Sequence, residues 1–406
     1  MDYFAPYTEV PRFPCHLWEI QEGQYFLPLI FKKGRSRKKA WCRGICIHVL
    51  HRRKAAQSDE CLAGELVRIT DPGKEASLVT LSIEENMNSY AGYITVNETY
   101  NSNLFFWFFP AEVQTADAPV VLWLQGGPGG SSMFGLFVEH GPYIITSNMT
   151  MRTRDFPWTF TLSMLYVDNP VGTGFSFTDD TRGYAANEED VARDLYSALI
   201  QFFQLFPEYK DNEFYATGEI LDKLLDGDLT SDPSYFQNVT GCINYYNLLQ
   251  CMEPEDQGYY AKFLSLPEVR QAIHVGNRTF NDGAIVEKYL RDDTVQSVKP
   301  WLAEIMNNYK VLIYNGQLDI IVAAPLTERS LMTIDWKGAK EYEKVEKKVW
   351  KIFKSDNEVA GYVRQVGDFH QVIVRGGGHI LPYDQPLRSF DMINRFIYGR
   401  GWDPYS

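Results

Sequence analysis

The chain has 406 residues, 45% of them hydrophobic and 15% aromatic, which is enough for one large α/β domain with an insertion or for two ordinary domains. Its net charge is −13, but residues 32–54 carry ten Lys or Arg and no Asp or Glu, so the remainder has a charge of about −23. A body this acidic argues against nucleic-acid binding, and no stretch reaches the roughly 18 apolar residues that a membrane span requires.

Residues 1–72 show no sustained hydrophobic period, and we interpret them as a poorly ordered leader outside the main domain. The basic run at residues 32–39 is interpreted as a solvated tail, with contact to RNA or anionic lipid as the alternative. The N-terminus lacks the basic start of a signal peptide, so the chain as written is not expected to direct its own secretion.

The six cysteines form two groups. Cys242 and Cys251 could be one disulfide of an oxidising compartment, or two half-bridges whose partners are absent. The other four lie in the leader, where a Cys-x3-Cys-x-His-x2-His cluster is spaced more tightly than the usual zinc finger, so we predict no metal site and no cofactor. The leader cysteines are Cys15, Cys42, Cys46 and Cys61.

From residue 89 onward, short apolar runs alternate with amphipathic segments. Several of the runs are apolar almost throughout, as expected of strands that are buried on both faces of a mostly parallel sheet. The predicted strands are residues 104–109, 120–124, 164–167, 213–217, 311–314 and 371–374.

Two amphipathic helices are predicted between and after these strands. Asn187 is a predicted N-cap followed by three acidic residues in the first turn, and the helix is expected to stop at Pro207. The other helix begins at Pro386. Alternating strands and helices with a mixed sheet indicate an α/β architecture of the α/β-hydrolase type.

The predicted strand at residues 120–124 runs into a glycine-rich turn, QGGPGGSS, at residues 125–132. Glycines let backbone N–H groups converge on an anion, which is how an oxyanion hole is built. A phosphate-binding loop is the rival interpretation, but its Gly-Lys-Ser/Thr ending is absent. A plain structural turn is the other alternative, although four glycines and a proline exceed what such a turn needs.

Asp319 and His379 each follow a predicted strand, Asp319 after residues 311–314 and His379 after residues 371–374. Hydrolases place an acid in this way to orient a histidine that acts as general base. A single histidine is usually structural, but the order of acid and then histidine, each just beyond a strand, favours a catalytic pair.

A nucleophile for this pair is missing from the chain. Hydrolases of this type present it in a Gly-x-Ser-x-Gly turn, and that pattern does not occur here. Residues 217–219, TGE, resemble the approach to such a turn, but Ile220 follows where the serine is expected. Three serines beside glycine turns lack the elbow sequence and are interpreted as turn or cap residues: Ser131, Ser132 and Ser176.

Four segments together resemble the serine carboxypeptidases, peptidase family S10. The resemblance extends from about residue 75 to the end of the chain and excludes the leader. The four segments are WLQGGPGGSS at residues 123–132, VDNPVGTGFS at 167–176, YNGQLD at 314–319 and GGGH at 376–379.

The resemblance implies release of C-terminal residues from peptides at acidic pH by a Ser-Asp-His mechanism. It implies that His379 is the general base, that Asp319 orients it, and that the N–H of Gly127 contributes to the oxyanion hole. It also implies that the free C-terminal carboxylate of a peptide is recognised by Gln125, Glu139 and Glu219. A glutamate can hydrogen-bond a carboxylate only when one of the two holds a proton, which favours acidic conditions.

By comparison with the family, roughly 70 residues, about half an average domain, are lacking after Glu219. Their loss removes the nucleophile, the second oxyanion donor and one central strand. We expect a domain at residues 73–406, interrupted at 219/220, with residues 220–262 as a truncated cap. Three interpretations stay open: an exon-skipped or mispredicted isoform of an active enzyme, a genuine non-catalytic homologue that binds peptide ends or a partner protein, and a different hydrolase on the same scaffold.

Four N-glycosylation sequons are consistent with the secretory or lysosomal lumen that the resemblance implies. A luminal location requires a signal peptide, and the N-terminus of the chain as written does not resemble one. The predicted partners are peptides with a free C-terminus, and the oligomeric state and side-chain preference stay open. The sequon asparagines are Asn97, Asn148, Asn238 and Asn277.

Overall fold

A computed structural model describes residues 29–32, 72–81, 88–113, 116–218, 240–294 and 296–406. The described strands are β1 Leu29–Lys32, β2 Tyr90–Asn97, β3 Ser102–Phe109, β4 Val120–Leu124, β5 Tyr143–Ile145, β6 Met151–Thr153, β7 Ser163–Val167, β8 Phe214–Gly218, β9 Lys310–Gly316, β10 Lys348–Trp350, β11 Gly361–Val366 and β12 Phe369–Val374. The described α-helices are α1 Pro72–Ala76, α2 Ser132–Phe134, α3 Glu188–Leu205, α4 Tyr259–Leu264, α5 Pro267–Ala272, α6 Ala284–Leu290, α7 Lys299–Asn308, α8 Ala324–Met332, α9 Ala339–Tyr342, α10 Leu381–Asp384 and α11 Pro386–Tyr398.

The strands form one mixed sheet in the order β10-β11-β12-β9-β1-β8-β4-β7-β3-β2, with β5 and β6 paired separately. Strand β12 is parallel to β9, and β4 is parallel to both β8 and β7. Strand β1 is antiparallel to both β8 and β9, so these two run in the same direction. The carboxyl ends of β7, β4, β8, β9 and β12 therefore lie along one edge of the sheet, which we call the carboxyl edge.

Each of the six predicted strands is confirmed, with ends shifted by at most two residues. Strand β3 shows why they were recognisable, since all eight of its residues are buried and successive side chains enter two separate cores. Phe106 and Phe108 pack with α3 on one face of the sheet, and Phe105 and Trp107 lie on the other face, where α11 also packs. The fold is the predicted α/β type.

The N-terminus of α3 is the one predicted from the sequence. The side chain of Asn187 accepts a hydrogen bond from the N–H of Asp190 at 3.0 Å, and acidic residues occupy the first turn. The helix ends at Leu205, just before Pro207. Helix α11 also starts at the predicted Pro386 and ends at Tyr398, and the Gly399 that caps it has a φ of 62°, the left-handed conformation common after a helix.

The centre of the sheet differs from the prediction. We expected a leader without regular structure and a missing central strand, whereas Leu29–Lys32 of that leader forms β1 between β8 and β9. The physical reason is that β8 and β9 would otherwise each expose a row of unpaired N–H and C=O groups in the middle of the sheet. The position is filled, but by a short antiparallel strand.

Part of the predicted cap at residues 220–262 lies outside the described residues. From residue 240 onward it consists of a loop closed by a disulfide between Cys242 and Cys251, a 3₁₀ turn at Glu255–Gly258 and helix α4. The sequence alone allowed either one disulfide or two half-bridges at these cysteines, and the structure has the disulfide. The leader cysteines and the zinc-like spacing among them lie outside the described residues. Among the helices that the structure describes, none has the length and hydrophobicity of a membrane span.

Candidate active site

The acid and the histidine predicted from the sequence meet at the carboxyl edge. Asp319 follows β9, His379 follows β12, and the Nδ1 atom of His379 lies 3.0 Å from Oδ2 of Asp319. The two side chains are 2% and 3% exposed. The other oxygen of Asp319 accepts the N–H of Val322 at 2.9 Å, which holds the carboxylate in place. The pair therefore has the geometry of a carboxylate that orients an imidazole.

The pKa of His379 is set by opposing effects. Burial lowers it, but the charge of Asp319, the hydrogen bond between the two residues and the charge of Glu139 outweigh burial, so the pKa is raised above its usual value. The raised pKa favours the imidazolium form, in which Nε2 also carries a proton and Asp319 stabilises the positive charge.

Backbone packing holds the histidine loop against β9. The N–H of His379 donates to the carbonyl of Tyr246, in the disulfide loop, at 2.7 Å, and the two rings lie 5.7 Å apart. A Cβ atom on Gly316 would lie 2.0 Å from the carbonyl oxygen of Gly378, so this approach requires a glycine. The cap remnant thereby holds the backbone of His379 and places the Tyr246 ring beside the imidazole.

The glycine-rich turn follows β4 at the same edge. Gly127 has a φ of 147°, and a Cβ atom there would lie 2.8 Å from the backbone nitrogen of Gly130. Within the described part of the chain, the N–H of Gly127 makes no hydrogen bond. An N–H of this kind is able to donate to an oxyanion, which is the role that the family resemblance implies for Gly127.

Asp168, which was not predicted as a site residue, connects this turn to the loop that follows β7. Its Oδ1 accepts the hydroxyl of Ser131 at 2.6 Å and the N–H of Ser132 at 3.0 Å, while its Oδ2 accepts the N–H of Phe175 at 2.9 Å. Burial raises the pKa of Asp168 to about 6, although these hydrogen bonds oppose the rise. The detectable signal was an acid directly after a buried strand, the same signal that identified Asp319.

Gln125 is the first residue of the glycine-rich turn, and Glu139 lies seven residues beyond the end of this turn. The Oε1 atom of Gln125 accepts the indole N–H of Trp123 at 2.9 Å, which orients the amide. Glu139 is fully buried in a π-helical turn, Gly135–His140. Turns of this kind are rare in proteins, and those that occur are often found at functional sites. Glu219 lies outside the described residues.

Comparison with known proteins agrees with these features. The serine carboxypeptidase family matches residues 80–220 and 234–399. The chain is 67% identical over 418 residues to the probable serine carboxypeptidase CPVL of Homo sapiens, covering 82% of this chain and 88% of that protein. It is 40% identical over 418 residues to the venom serine carboxypeptidase of Apis mellifera, covering 82% and 89%.

The chain belongs to the serine carboxypeptidase family. Its fold also matches the crystal structure of Kex1(Δ)p, a prohormone-processing carboxypeptidase from Saccharomyces cerevisiae, with a TM-score of 0.67 and 19% identity. That match covers 81% of this chain and 97% of the yeast chain.

The three serines beside glycine turns have structural roles in this member of the family. The hydroxyl of Ser131 donates to Asp168, and that of Ser132 donates to the carbonyl of Val167 at 2.6 Å. The hydroxyl of Ser176 donates to the carbonyl of Asp168 at 2.6 Å. Their interpretation as turn or cap residues agrees with these contacts, since each donates its proton to a group other than His379.

Proposed function

We propose that this chain retains the acid–base pair and the peptide-end recognition of a serine carboxypeptidase but does not cleave peptides. The family reaction is the release of C-terminal residues, in which His379 would activate a serine hydroxyl and Gly127 would stabilise the oxyanion. The chain is proposed to bind the C-terminal carboxylate of a peptide through Gln125 and Glu139, without a nucleophile to attack it.

One observation carries this proposal. The Nε2 atom of His379 is buried and has no hydrogen-bond partner among the residues that the structure describes. In a working triad, this nitrogen accepts the hydrogen bond of the nucleophile. The acid and base are therefore paired, while no described hydroxyl group donates to the atom that would receive the serine proton.

The comparisons support a gap at the expected position. The match to the family is interrupted between residues 220 and 234. The alignment with the human relative has 418 positions, but 82% of this chain is only about 333 residues. About 85 aligned positions therefore have no residue from this chain, in line with a segment missing after Glu219.

Loss of a triad serine typically lowers turnover about 10⁶-fold, and here half of the oxyanion hole is absent as well. We expect the purified chain to show no detectable hydrolysis of an N-blocked dipeptide at pH 5. The control is His379→Ala, which should have the same background rate. Hydrolysis by the unmodified chain that His379→Ala abolishes would overturn the proposal, and fluorophosphonate labelling would then locate the improvised nucleophile.

Sequencing of transcripts across the Glu219/Ile220 junction distinguishes the origins of this chain. Abundant in-frame reads identical to the chain support a genuine non-catalytic form. Reads that insert Ser-Tyr-Ala-Gly after Glu219 restore the enzyme and make this chain an isoform or a prediction error.

A luminal location is proposed on the same basis. Asn148 and Asn277 are exposed, Asn97 is half-buried, and Asn238 lies outside the described residues. Expression in secretory cells with a suitable signal peptide, followed by glycosidase treatment, should reduce the apparent mass if the sequons are used.

A further inference from the structure

We infer that Arg154 is a positioning residue that holds Glu139 in place for recognition of a peptide C-terminus. The inference rests on the proposed peptide-end binding and extends it to a residue outside the signature segments. Arg154 directly follows β6 and is only 9% exposed.

The side chain of Arg154 clamps the backbone on both sides of Glu139. Its Nη2 donates to the carbonyl of Phe137 at 2.7 Å, and its Nε donates to the carbonyl of Gly141 at 2.9 Å. A longer contact of 3.4 Å joins Nη2 to the carbonyl of Tyr143. The two short bonds therefore reach the residues two positions before and two positions after Glu139.

These bonds matter because the π-helical turn ends at this point. The last carbonyls of a helix lack partners within it, and buried carbonyls without partners are costly. A guanidinium presents several donors in a rigid fork and carries a positive charge, which suits the negative end of a helix. Loss of the guanidinium would allow the π-helical turn to change its conformation, and the Glu139 carboxylate would then move.

Arg154 keeps its charge under the conditions in which peptide ends bind. Burial lowers its pKa to about 10, although Tyr166 and Glu139 oppose this effect. The side chain is therefore a cation throughout the acidic and neutral range. Its interaction with Glu139 in addition to the two backbone bonds makes it both a geometric and an electrostatic support for that carboxylate.

The test compares one fluorescent peptide with a free C-terminal carboxylate and the same peptide with a C-terminal amide, by anisotropy at pH 5. For the unmodified chain we expect the free form to bind at least about 10-fold more tightly, which corresponds to about 1.4 kcal/mol. In Arg154→Met this ratio should fall below about 3-fold. For Arg154→Lys, which keeps the charge but not the forked guanidinium, the ratio should lie between these two values.

The matched control is Arg152→Met, which removes an exposed cation two residues earlier on β6 and should leave the ratio unchanged. Hydrogen exchange supplies a second readout. Amides of residues 135–141 should exchange faster in both Arg154 variants, while those of β3 and β4 stay protected.

An unchanged ratio and unchanged exchange in Arg154→Lys would overturn the inference, even if Arg154→Met fails to fold. Equal binding of both peptides by the unmodified chain would instead overturn the proposed function, and the inference with it. Exchange at residues 135–141 separates the two failures, because it reports on the clamp whether or not peptide binds.

Discussion

Asp319 and His379 form a buried acid–histidine pair that is also a stable structural unit. The carboxylate accepts the N–H of Val322, and the backbone N–H of His379 donates to the carbonyl of Tyr246. Each partner compensates for the burial of the other, and removal of either one would leave an unpaired polar group in the interior.

Asp319→Asn tests this at the residue scale. The raised pKa of His379 means that Asp319 contributes stability below the unfolded pKa of about 6.5, and that this contribution is lost as the pH rises through the folded pKa. We expect the variant to lose about 3 kcal/mol of unfolding free energy at pH 5 and less at pH 9. Urea denaturation at both pH values measures the difference.

The control for this variant is Asp117→Asn, which changes an exposed carboxylate before β4 and should not alter stability by more than about 0.5 kcal/mol. A titration of the His379 imidazole by NMR should show a lower pKa in Asp319→Asn. An equal loss of stability at pH 5 and pH 9, with an unchanged imidazole titration, would contradict the electrostatic account.

Helix α3 carries a pH-dependent feature at its first residue. Glu188 is half-buried, and its backbone N–H donates to the carboxylate of Asp293 at 2.8 Å, which brings two acids together at the helix start. Burial, with a smaller contribution from the charge of Asp293, raises the pKa of Glu188 to about 7. A carboxyl group whose pKa is higher in the folded chain stabilises the fold most in acid.

Glu188→Gln should remove this pH dependence, because the amide resembles the protonated acid. Stability from Glu188 is complete below about pH 4.5 and is lost as the pH rises to about 7. The variant should therefore match the unmodified chain at pH 4.5 and exceed it by roughly 2 kcal/mol at pH 8, after allowance for partial exposure.

Denaturant titrations at the two pH values measure this gain, and Glu189→Gln is the neighbouring control. Glu189 is exposed in the same helical turn, so its variant should change by less than about 0.5 kcal/mol at either pH. A gain at pH 8 that is the same for both variants would show that the effect belongs to the helix N-terminus in general.

The whole molecule depends on a continuous sheet. Strand β1 pairs Leu29 with Gly218 on one side and with Ile313 on the other, so it joins the half of the sheet that carries the glycine-rich turn to the half that carries Asp319 and His379. These pairs connect the backbone on both sides. Without β1, the two halves would present open edges, which favour aggregation.

Ile30→Pro should disrupt this joint, since proline removes a donor and is not tolerated in a central strand. We expect a loss of about 3 kcal/mol or more in unfolding free energy and increased aggregation. Ile30→Val keeps the backbone bonds and is the control. Hydrogen exchange should show protected amides in β1, β8 and β9 of the unmodified chain, and rapid exchange at Leu29–Lys32 would contradict the central position of β1.

The sequence alone determined the features that depend on local pattern. Buried strands such as β3 and β4 are apolar almost throughout, and Asn187 with the acids after it specifies a helix start over a few residues. Asp319 and His379 were recognisable because each follows a buried strand. The absence of a Gly-x-Ser-x-Gly turn is likewise a property of the sequence.

Only the tertiary structure decided which distant residues share the site. Asp168 and Arg154 act through contacts with loops that are separate in sequence, and no local pattern shows that Arg154 reaches the carbonyls beside Glu139. The π-helical turn and the place of β1 in the sheet depend in the same way on neighbours supplied by the fold. Local patterns state what each segment prefers, whereas burial and unpaired backbone groups determine which partners it meets.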